Sequence, residues 1–389
     1  MSLVAVAHEV AVPATAAAAV AYQSVSDGFW LAEQLAAPLL AALLLWSGWG
    51  ARTCAAIKRT SGSRRYVTVA GFAAFFVVML QLVRAPLDYS WRAAYARASG
   101  SAPDSAAAWL AAQAVPSVLL LSLFVTGAVV LYALIQRSPR AWWLFATLAG
   151  CVLALALLMG EPLTRSYTAL DSQPMARAIE ALATRIGVPA DRIGVRHSDD
   201  MTGCGAATVI GLGPTRLMLL DDTLLQNYPQ REVLQSVAHE SSHFTRDDNV
   251  RALALISAWL FATLALVQFG SRWALWRLSG RFGFESLADP ASLPLLVLIA
   301  SAVSLFLLPF GRAYQQQAVE QRADRFALDI THDNASEAML YVKDMKCYPL
   351  LVSSPSPFYR AFRATHPSIE ERIRFADAYH PWKSQSKPR

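Results

Sequence analysis

Charge is what this chain has least of. Asp, Glu, Lys and Arg make up 16% of its 389 residues, where soluble chains carry about 25%. Disorder is excluded, because a chain that stays unfolded in water needs high charge and few apolar residues, and here apolar residues make up 55%. Four cysteines are too few for a disulfide-built scaffold, and 19 glycines too few for a collagen-like chain. No basic run is interleaved with aromatic residues, so nucleic acid is not expected as a partner, although the net charge is +6. A Gly-x-Ser-x-Gly elbow is missing, which removes the support for Ser/His/Asp nucleophile chemistry. No internal repeat is visible. The surplus of apolar residues points to a lipid bilayer, and basic loops of an integral membrane protein account for the positive balance.

The apolar residues are gathered into six stretches: 28–50, 66–83, 109–135, 142–160, 252–269 and 293–310. Each approaches or exceeds the roughly 18–20 residues that a spanning helix needs. Glu33 and Gln34 sit in the first and Gln81 ends the second; the others are nearly free of charge. A core helix of a soluble protein would carry a polar face, and these do not. Residues 3–22 are apolar and Ala-rich but carry Glu9 and Pro13, and they lack the basic start of a secretory signal peptide. The expected organisation is a tail or degenerate span at 1–27, a four-span membrane domain at 28–160, the first part of a soluble domain at 161–251, two more spans at 252–310, and the second part at 311–389. The soluble parts together have the size of one ordinary domain.

Within the soluble parts, 174–186 reads as an amphipathic helix ended by Gly187-Val-Pro. The runs 208–213 and 215–220 read as a hairpin. Helices are expected over 231–247, 315–329 and 368–379. The first of these carries His239-Glu240-Ser241-Ser242-His243. Two His at i and i+4 project from one helix face, so both imidazoles can reach a metal at about 2.0–2.1 Å. The Glu beside the first His can take the proton of a water attacking a carbonyl. A catalytic zinc normally has three protein ligands and one open position. The candidates for the third are Glu320, Asp324, His332 and His366. Glu320 and Asp324 stand at i,i+4 just after the last span; on spacing alone they fit a solvated acidic face among Arg322 and Arg325 equally well.

Four motifs in order resemble the M48 metallopeptidases, and among them the Ste24-type (CAAX prenyl protease) branch. Besides the His-Glu-x-x-His segment, Glu320-Gln-Arg-Ala-Asp324-Arg-Phe-Ala resembles the family's third-ligand motif, and Thr365-His366-Pro367 with Glu371-Arg372-Ile373 its downstream motif. Gly211 to Leu225 resembles the strand–strand segment that precedes the catalytic helix, and Ala85-Pro-Leu-Asp-Tyr-Ser-Trp-Arg92 followed by Gly100 a loop of the membrane half. The resemblance covers most of 28–380. It implies a mainly α-helical membrane protein of six spans, or seven if 3–22 adds one, with a discontinuous zincin-like α+β protease domain. It further implies one Zn2+ per subunit on His239, His243 and Glu320, with Glu240 as general base. Asp324 would orient a ligand His or donate a proton, His366 would stabilise the oxyanion, and Arg372 would brace the site. An extended polypeptide would add as a strand along Ala206, Ala207, Thr208, Val209 and Ile210. The chain departs from the family in having Ser241-Ser242 where Leu-Gly is usual, and Ala206-Ala207 where the family has Asn-Ala.

The expected activity is zinc-dependent endoproteolysis of membrane-associated or C-terminal-tail polypeptides; general quality-control proteolysis without prenyl preference, a scaffold of the same fold, and a transporter or channel are the rivals. Ala- and Arg-rich composition suggests a bacterial inner membrane. His8, His197, His332 and His380 read as surface or loop residues, Cys54 and Cys151 as packing residues, and Cys204 and Cys347 as unpaired thiols unless the domain is extracytoplasmic. Basic residues concentrate in loops 51–65, 136–141 and 270–292, which places the soluble domain outside the cytoplasm. The family resemblance implies the cytosolic side instead.

Overall fold

The computed structural model describes residues 10–170, 175–198 and 203–385. Within these residues the chain begins with α1 (Ala17–Trp46), α2 (Trp49–Thr60), α3 (Arg65–Ala98), α4 (Ala106–Arg137) and α5 (Trp142–Thr164). A mixed segment follows: β1 (Thr168–Ala169), α6 (Ala176–Ile186), β2 (Ile193–Arg196), β3 (Ala207–Ile210), β4 (Leu217–Asp221) and α7 (Asp222–Asn227). Next come α8 (Gln230–Thr245), α9 (Asp248–Phe282) and α10 (Leu293–Tyr314). A π-helical turn at Gln315–Glu320 leads directly into α11 (Gln321–Thr331). The chain closes with α12 (Asn334–Cys347), α13 (Pro357–Phe362), α14 (Ile369–Ala378) and α15 (Pro381–Gln385).

Six helices among the described residues are long and apolar enough to cross a membrane: α1, α3, α4, α5, α9, and α10 with its continuation. The first starts at Ala17 rather than near residue 28, so the end of the Ala-rich segment, 17–22, belongs to it; residues 3–9 of that segment lie outside the described residues. Residues 51–60, read as loop, belong to α2, which carries Arg52, Lys58 and Arg59 and buries Gly50 and Cys54. Short basic amphipathic helices of this kind lie in the membrane interface.

The chain separates into two compact units. The membrane unit holds Ser24–Leu153 and Leu255–Leu308. Its core includes Phe72, Phe76, Tyr132, Ile135 and Trp142, all fully buried. Two buried polar pairs cross it, as groups without water require: Trp142 Nε1 donates to Gln268 at 2.6 Å, and Tyr132 pairs with Ser292 at 2.8 Å. The outside is apolar, with Leu119, Leu123, Leu153 and Phe269 more than half exposed. An exposed apolar belt of this extent is unstable in water and stable in lipid.

The second unit takes residues up to Gln23, Ala154–Ala254 and Pro309 onward. It contains a four-stranded sheet in the order β1-β2-β4-β3. The expected hairpin is present: β3 pairs antiparallel with β4, Val209 opposite Met218. Gly211 (φ +79°) opens its turn, where an added Cβ would lie 2.3 Å from the Thr215 carbonyl oxygen. β3 is an edge strand. On this sheet Ile179, Val195, Met218, Leu220, Val233 and Val237 form the core.

The pairing of Cys204 with Cys347 corrects the reading of free thiols: their Cα atoms are 6.0 Å apart and the sulfurs are bonded. Sequence spacing could not find this pair, because 143 residues and two spans separate its members. The bridge ties the segment before β3 to the end of α12.

Candidate metal centre

α8 starts after Pro229 and carries Glu232 in its first turn, where a carboxylate suits the helix dipole. Val233, Val237, Ala238, Ser241 and Phe244 face inward. Ser241 and Ser242, which replace larger and smaller residues of the family motif, are both fully buried, and Ser241 Oγ donates to the Val237 carbonyl at 2.6 Å. His239 and His243 stand one turn apart on the flank, with Nε2 atoms 3.2 Å from each other.

The outer nitrogen of each ring meets a carboxylate. Asp324 Oδ1 lies 2.9 Å from His239 Nδ1, and Asp248 Oδ2 lies 2.9 Å from His243 Nδ1. Such pairs fix ring orientation and tautomer and leave Nε2 free for a metal. Asp248 is five residues beyond His243; a left-handed Asp247 (φ 54°) turns the chain back to make the contact. Arg216 holds this turn, pairing with Asp247 at 2.5 Å and donating to the Phe244 carbonyl. Arg322 then grips both Asp248 oxygens, at 2.6 and 2.7 Å.

Glu320 enters from the π-helical turn. One wide turn between two α-helices rotates the residues after it, and such turns recur at functional sites. Here it sets Glu320 Oε2 3.4 Å from His239 Nε2 and 3.9 Å from His243 Nε2. Ligands at about 2.0–2.1 Å around tetrahedral zinc lie roughly 3.4 Å from one another. Glu320 Oε1 accepts from Gln315 at 2.8 Å, whereas Oε2 is buried without a hydrogen-bond partner. An orphaned carboxylate oxygen aimed at two inward-facing imidazole nitrogens fits a cation. The ligand-type atoms of His239, Glu240 and His243 also lie within 4.8 Å of one another.

Of the other third-ligand candidates, Asp324 faces the outer nitrogen of His239. His366 Nε2 lies 3.2 Å from Glu320 Oε2 with half its side chain exposed. His332 is packed on Trp382 with ring centroids 4.5 Å apart. Glu320 and Asp324 are 4% and 2% exposed, so the solvated acidic face is excluded.

Behind Asp324 is a buried network. Arg372 Nε donates to Asp324 Oδ2 at 2.9 Å, and its guanidinium covers the Tyr341 ring at 4.1 Å. The Tyr341 hydroxyl lies 3.1 Å from Asp324 and 2.5 Å from Glu337. Burial, with Asp324 nearby, pushes the Glu337 carboxyl up to about 7. A hydroxyl has one proton, so a protonated Glu337 supplies the second one this arrangement needs.

Charge balance shapes the site. Burial disfavours the His239 imidazolium, but the Asp324 and Glu320 carboxylates outweigh it and raise the group to about 10. Burial raises the Glu240 carboxyl, against the pull of the two imidazoles. Loss of hydration lowers His366, more than Glu320 raises it.

The strand residues Ala206–Ile210 lie at the sheet edge, against α8. Asp221 secures their start, accepting from the Ala206 N–H at 2.9 Å, and Asn249 donates to the Gly211 carbonyl at 2.7 Å beyond their end. A cavity of about 700 Å3 is lined by Gln316, Gln317, Gln321, Arg360 and Pro367 among others; Gln321 and Pro367 are chain neighbours of Glu320 and His366. Sequence reasoning missed Asp248, Gln315, Tyr341 and Glu337. The only signal for Asp248 is an Asp pair four and five residues after the second His; the other three carry no pattern.

The model of peptidase family M48 matches residues 169–380, more than half of the chain. The uncharacterized metalloprotease YhfN of Bacillus subtilis is 27% identical over 324 residues, 80% of this chain and 74% of that protein. A CAAX prenyl protease 1 homolog of Dictyostelium discoideum is 27% identical over 248 residues, so the chain spans 55% of its length. In fold, the crystal structure of S. mikatae Ste24p superposes with a TM-score of 0.65 at 19% identity, covering 80% of this chain and 76% of that one. With its paired imidazoles, its adjoining glutamate and its apolar helices, the chain belongs to peptidase family M48 and is a membrane metalloprotease of the zinc-dependent type.

Proposed function

We propose that His239, His243 and Glu320 hold one zinc ion, and that the chain hydrolyses internal peptide bonds of unfolded, membrane-associated polypeptides without needing a prenyl group. The observation that carries the metal assignment is the orphaned Glu320 Oε2 opposite two imidazole nitrogens. When bound, zinc supplies a Lewis acid for the scissile carbonyl. Glu240 takes a proton from the attacking water as the new C–O bond forms, and returns it to the amine as the C–N bond breaks. His366 donates from Nε2 to the developing oxyanion. Asp324 keeps His239 oriented, and Arg372 keeps Asp324 ionised and in place.

The substrate adds to the sheet as a strand along Ala206–Ile210, since backbone hydrogen bonds there accept any sequence. The cavity beside Gln317 and Gln321, lined mainly by apolar groups such as Phe310, Ala313 and Ala361, has room for its side chains. The absence of the family's Asn at Ala206 agrees with a changed substrate class. In liposomes, an unprenylated, unfolded polypeptide should be cut at internal bonds, with activity lost to chelator and restored by zinc. Strict dependence on a prenylated C-terminus would overturn this reading.

We place the protease domain outside the cytoplasm. The basic helix α2 and the Cys204–Cys347 bridge both favour this, since disulfides persist in oxidising compartments. Cys54 is buried and cannot report on sidedness. In a Cys54→Ala, Cys151→Ala background, exposed reporters are needed. An impermeant thiol reagent on intact bacterial cells should label Lys383→Cys and spare Arg59→Cys. The opposite pattern would return the domain to the cytosol.

A further inference from the structure

Behind His239, one hydroxyl stands between two carboxyl groups. Asp324 already faces a full set of donors. Its Oδ1 meets His239 Nδ1, Arg372 Nη2 and the Tyr341 hydroxyl, and its Oδ2 accepts from Arg372 Nε. An ionised carboxylate has about four such sites and no proton to give. The Tyr341 proton therefore points at Asp324. Glu337 Oε1 lies 2.5 Å from the same hydroxyl oxygen. Two oxygens that close need a proton between them. Tyr341 has none left, so this one belongs to Glu337.

Burial gives the same answer by a separate route. Glu337 is 1% exposed, and its Oε2 has no hydrogen-bond partner. Arg372 is committed to Asp324 through both Nε and Nη2. An ionised Glu337 would leave a bare, buried oxygen and put two negative charges beside one guanidinium, which is strongly disfavoured. The groups around it are His239 from α8, Asp324 from α11, Arg372 from α14 and Tyr341 one turn along its own helix. Loss of water, and then Asp324, hold its proton on to about pH 7 against the pull of the other three. Glu337 and Tyr341 both lie outside the four motifs that carry the family resemblance.

We propose that Glu337 is a positioning residue whose proton controls His239 through Tyr341 and Asp324. While the proton is held, Tyr341 donates to Asp324 and offsets part of the negative charge behind His239 Nδ1. When it leaves for solvent, the Tyr341 hydroxyl turns to the ionised Glu337. Asp324 loses that donor and gains a like charge nearby. It then draws harder on the Nδ1 proton, and the imidazole becomes more electron-rich. A more basic imidazole makes a bound zinc a weaker Lewis acid, so turnover drops as Glu337 ionises. This last step rests on the zinc assignment to His239; the proton on Glu337 does not.

Stability reads the proton without metal or activity. In the unfolded chain Glu337 ionises near its ordinary value of 4.5, and in the folded chain near 7. Between the two the folded chain binds one more proton, so stability falls as pH rises through that window and is level above it. For the metal-free full chain in detergent, the unfolding constant of wild type relative to Glu337→Gln should rise about tenfold per pH unit across the window. An equal pH dependence of the two would overturn the proposal.

Turnover of the zinc-loaded chain reads the control. Wild-type kcat should fall about tenfold from about pH 6 to about pH 8.5, the lower end of what such partners contribute. Glu337→Gln, whose amide donates to Tyr341 at every pH, should lose that fall. Tyr341→Phe should have a lowered kcat at both pH values, with KM and zinc content unchanged. A Glu337 that only packs would leave the profile of Glu337→Gln parallel to that of wild type, and this result would overturn the proposal. If Glu337→Gln does not fold, Tyr341→Phe decides, and wild-type kcat at pH 6 in that variant would be fatal. Failure of the zinc reading looks different: no hydrolysis at any pH, with the stability difference intact, which removes the control and leaves the proton on Glu337.

Discussion

Glu240→Gln should cut peptide hydrolysis by at least about a hundredfold, the usual cost of losing a general base. The amide matches the carboxylate in size but cannot accept a proton at neutral pH. Zinc content and melting temperature should stay at wild-type values, since Glu240 is neither a proposed ligand nor part of the Asp324–Arg372 network. Burial raises the Glu240 carboxyl, so the acidic limb of kcat/KM belongs to this residue. Its deprotonated form is the active one. Activity therefore falls as pH drops through its pKa, and the limb disappears in the variant. His366→Ala offers a contrast in the same assay: it should lower kcat more than it raises KM, because the oxyanion contact forms mainly in the transition state. Turnover near wild type in Glu240→Gln would sink the mechanism; a change confined to KM in His366→Ala would make that residue a substrate contact.

Glu320→Ala should abolish both zinc and activity. Structural and catalytic zinc sites need at least three protein ligands, and removal leaves two imidazoles facing each other at 3.2 Å. Without metal, Asp324 still favours a proton on His239, but the support that Glu320 gives it is gone. The site then has no Lewis acid. Asp324→Asn and Asp248→Asn act one contact further out, and their effect on zinc affinity should be the smaller 10–100-fold typical of such partners. Zinc measured by mass spectrometry of the purified, dialysed chain separates these cases. His366 is the rival ligand, with Nε2 3.2 Å from Glu320 Oε2. If Glu320→Ala keeps full zinc while His366→Ala loses it, the assignment passes to His366.

The membrane helices and the His pair were legible because their signals are local. A spanning helix is one apolar run, and two ligands at i,i+4 meet by helix geometry alone. The boundaries were less legible. Ala residues fit helix and tail alike, so the start at Ala17 was not visible, and α2 was concealed by its charges. Ambiguity at Glu320 and Asp324 had a physical source as well: two carboxylates at i,i+4 look the same whether α11 faces water or α8. Packing against α8 buries both, and only that contact takes the acidic face out of water and sets it against His239.

By itself, then, the sequence determined the class of fold, the bilayer as solvent, and the pair of imidazoles with their neighbouring glutamate. It did so through periodicity and run length, which act over a few residues. The tertiary structure alone decided what depends on distant segments meeting. It closed the site with Glu320 and set Asp248 behind His243 through the turn at Asp247. It joined Cys204 to Cys347 across 143 residues and set Tyr341 and Glu337 behind Asp324. Apart from Glu320, which stands in a recognisable motif, these contacts have no pattern in the chain, because a contact between remote residues is paid for by the packing of whole helices and leaves no mark on local spacing.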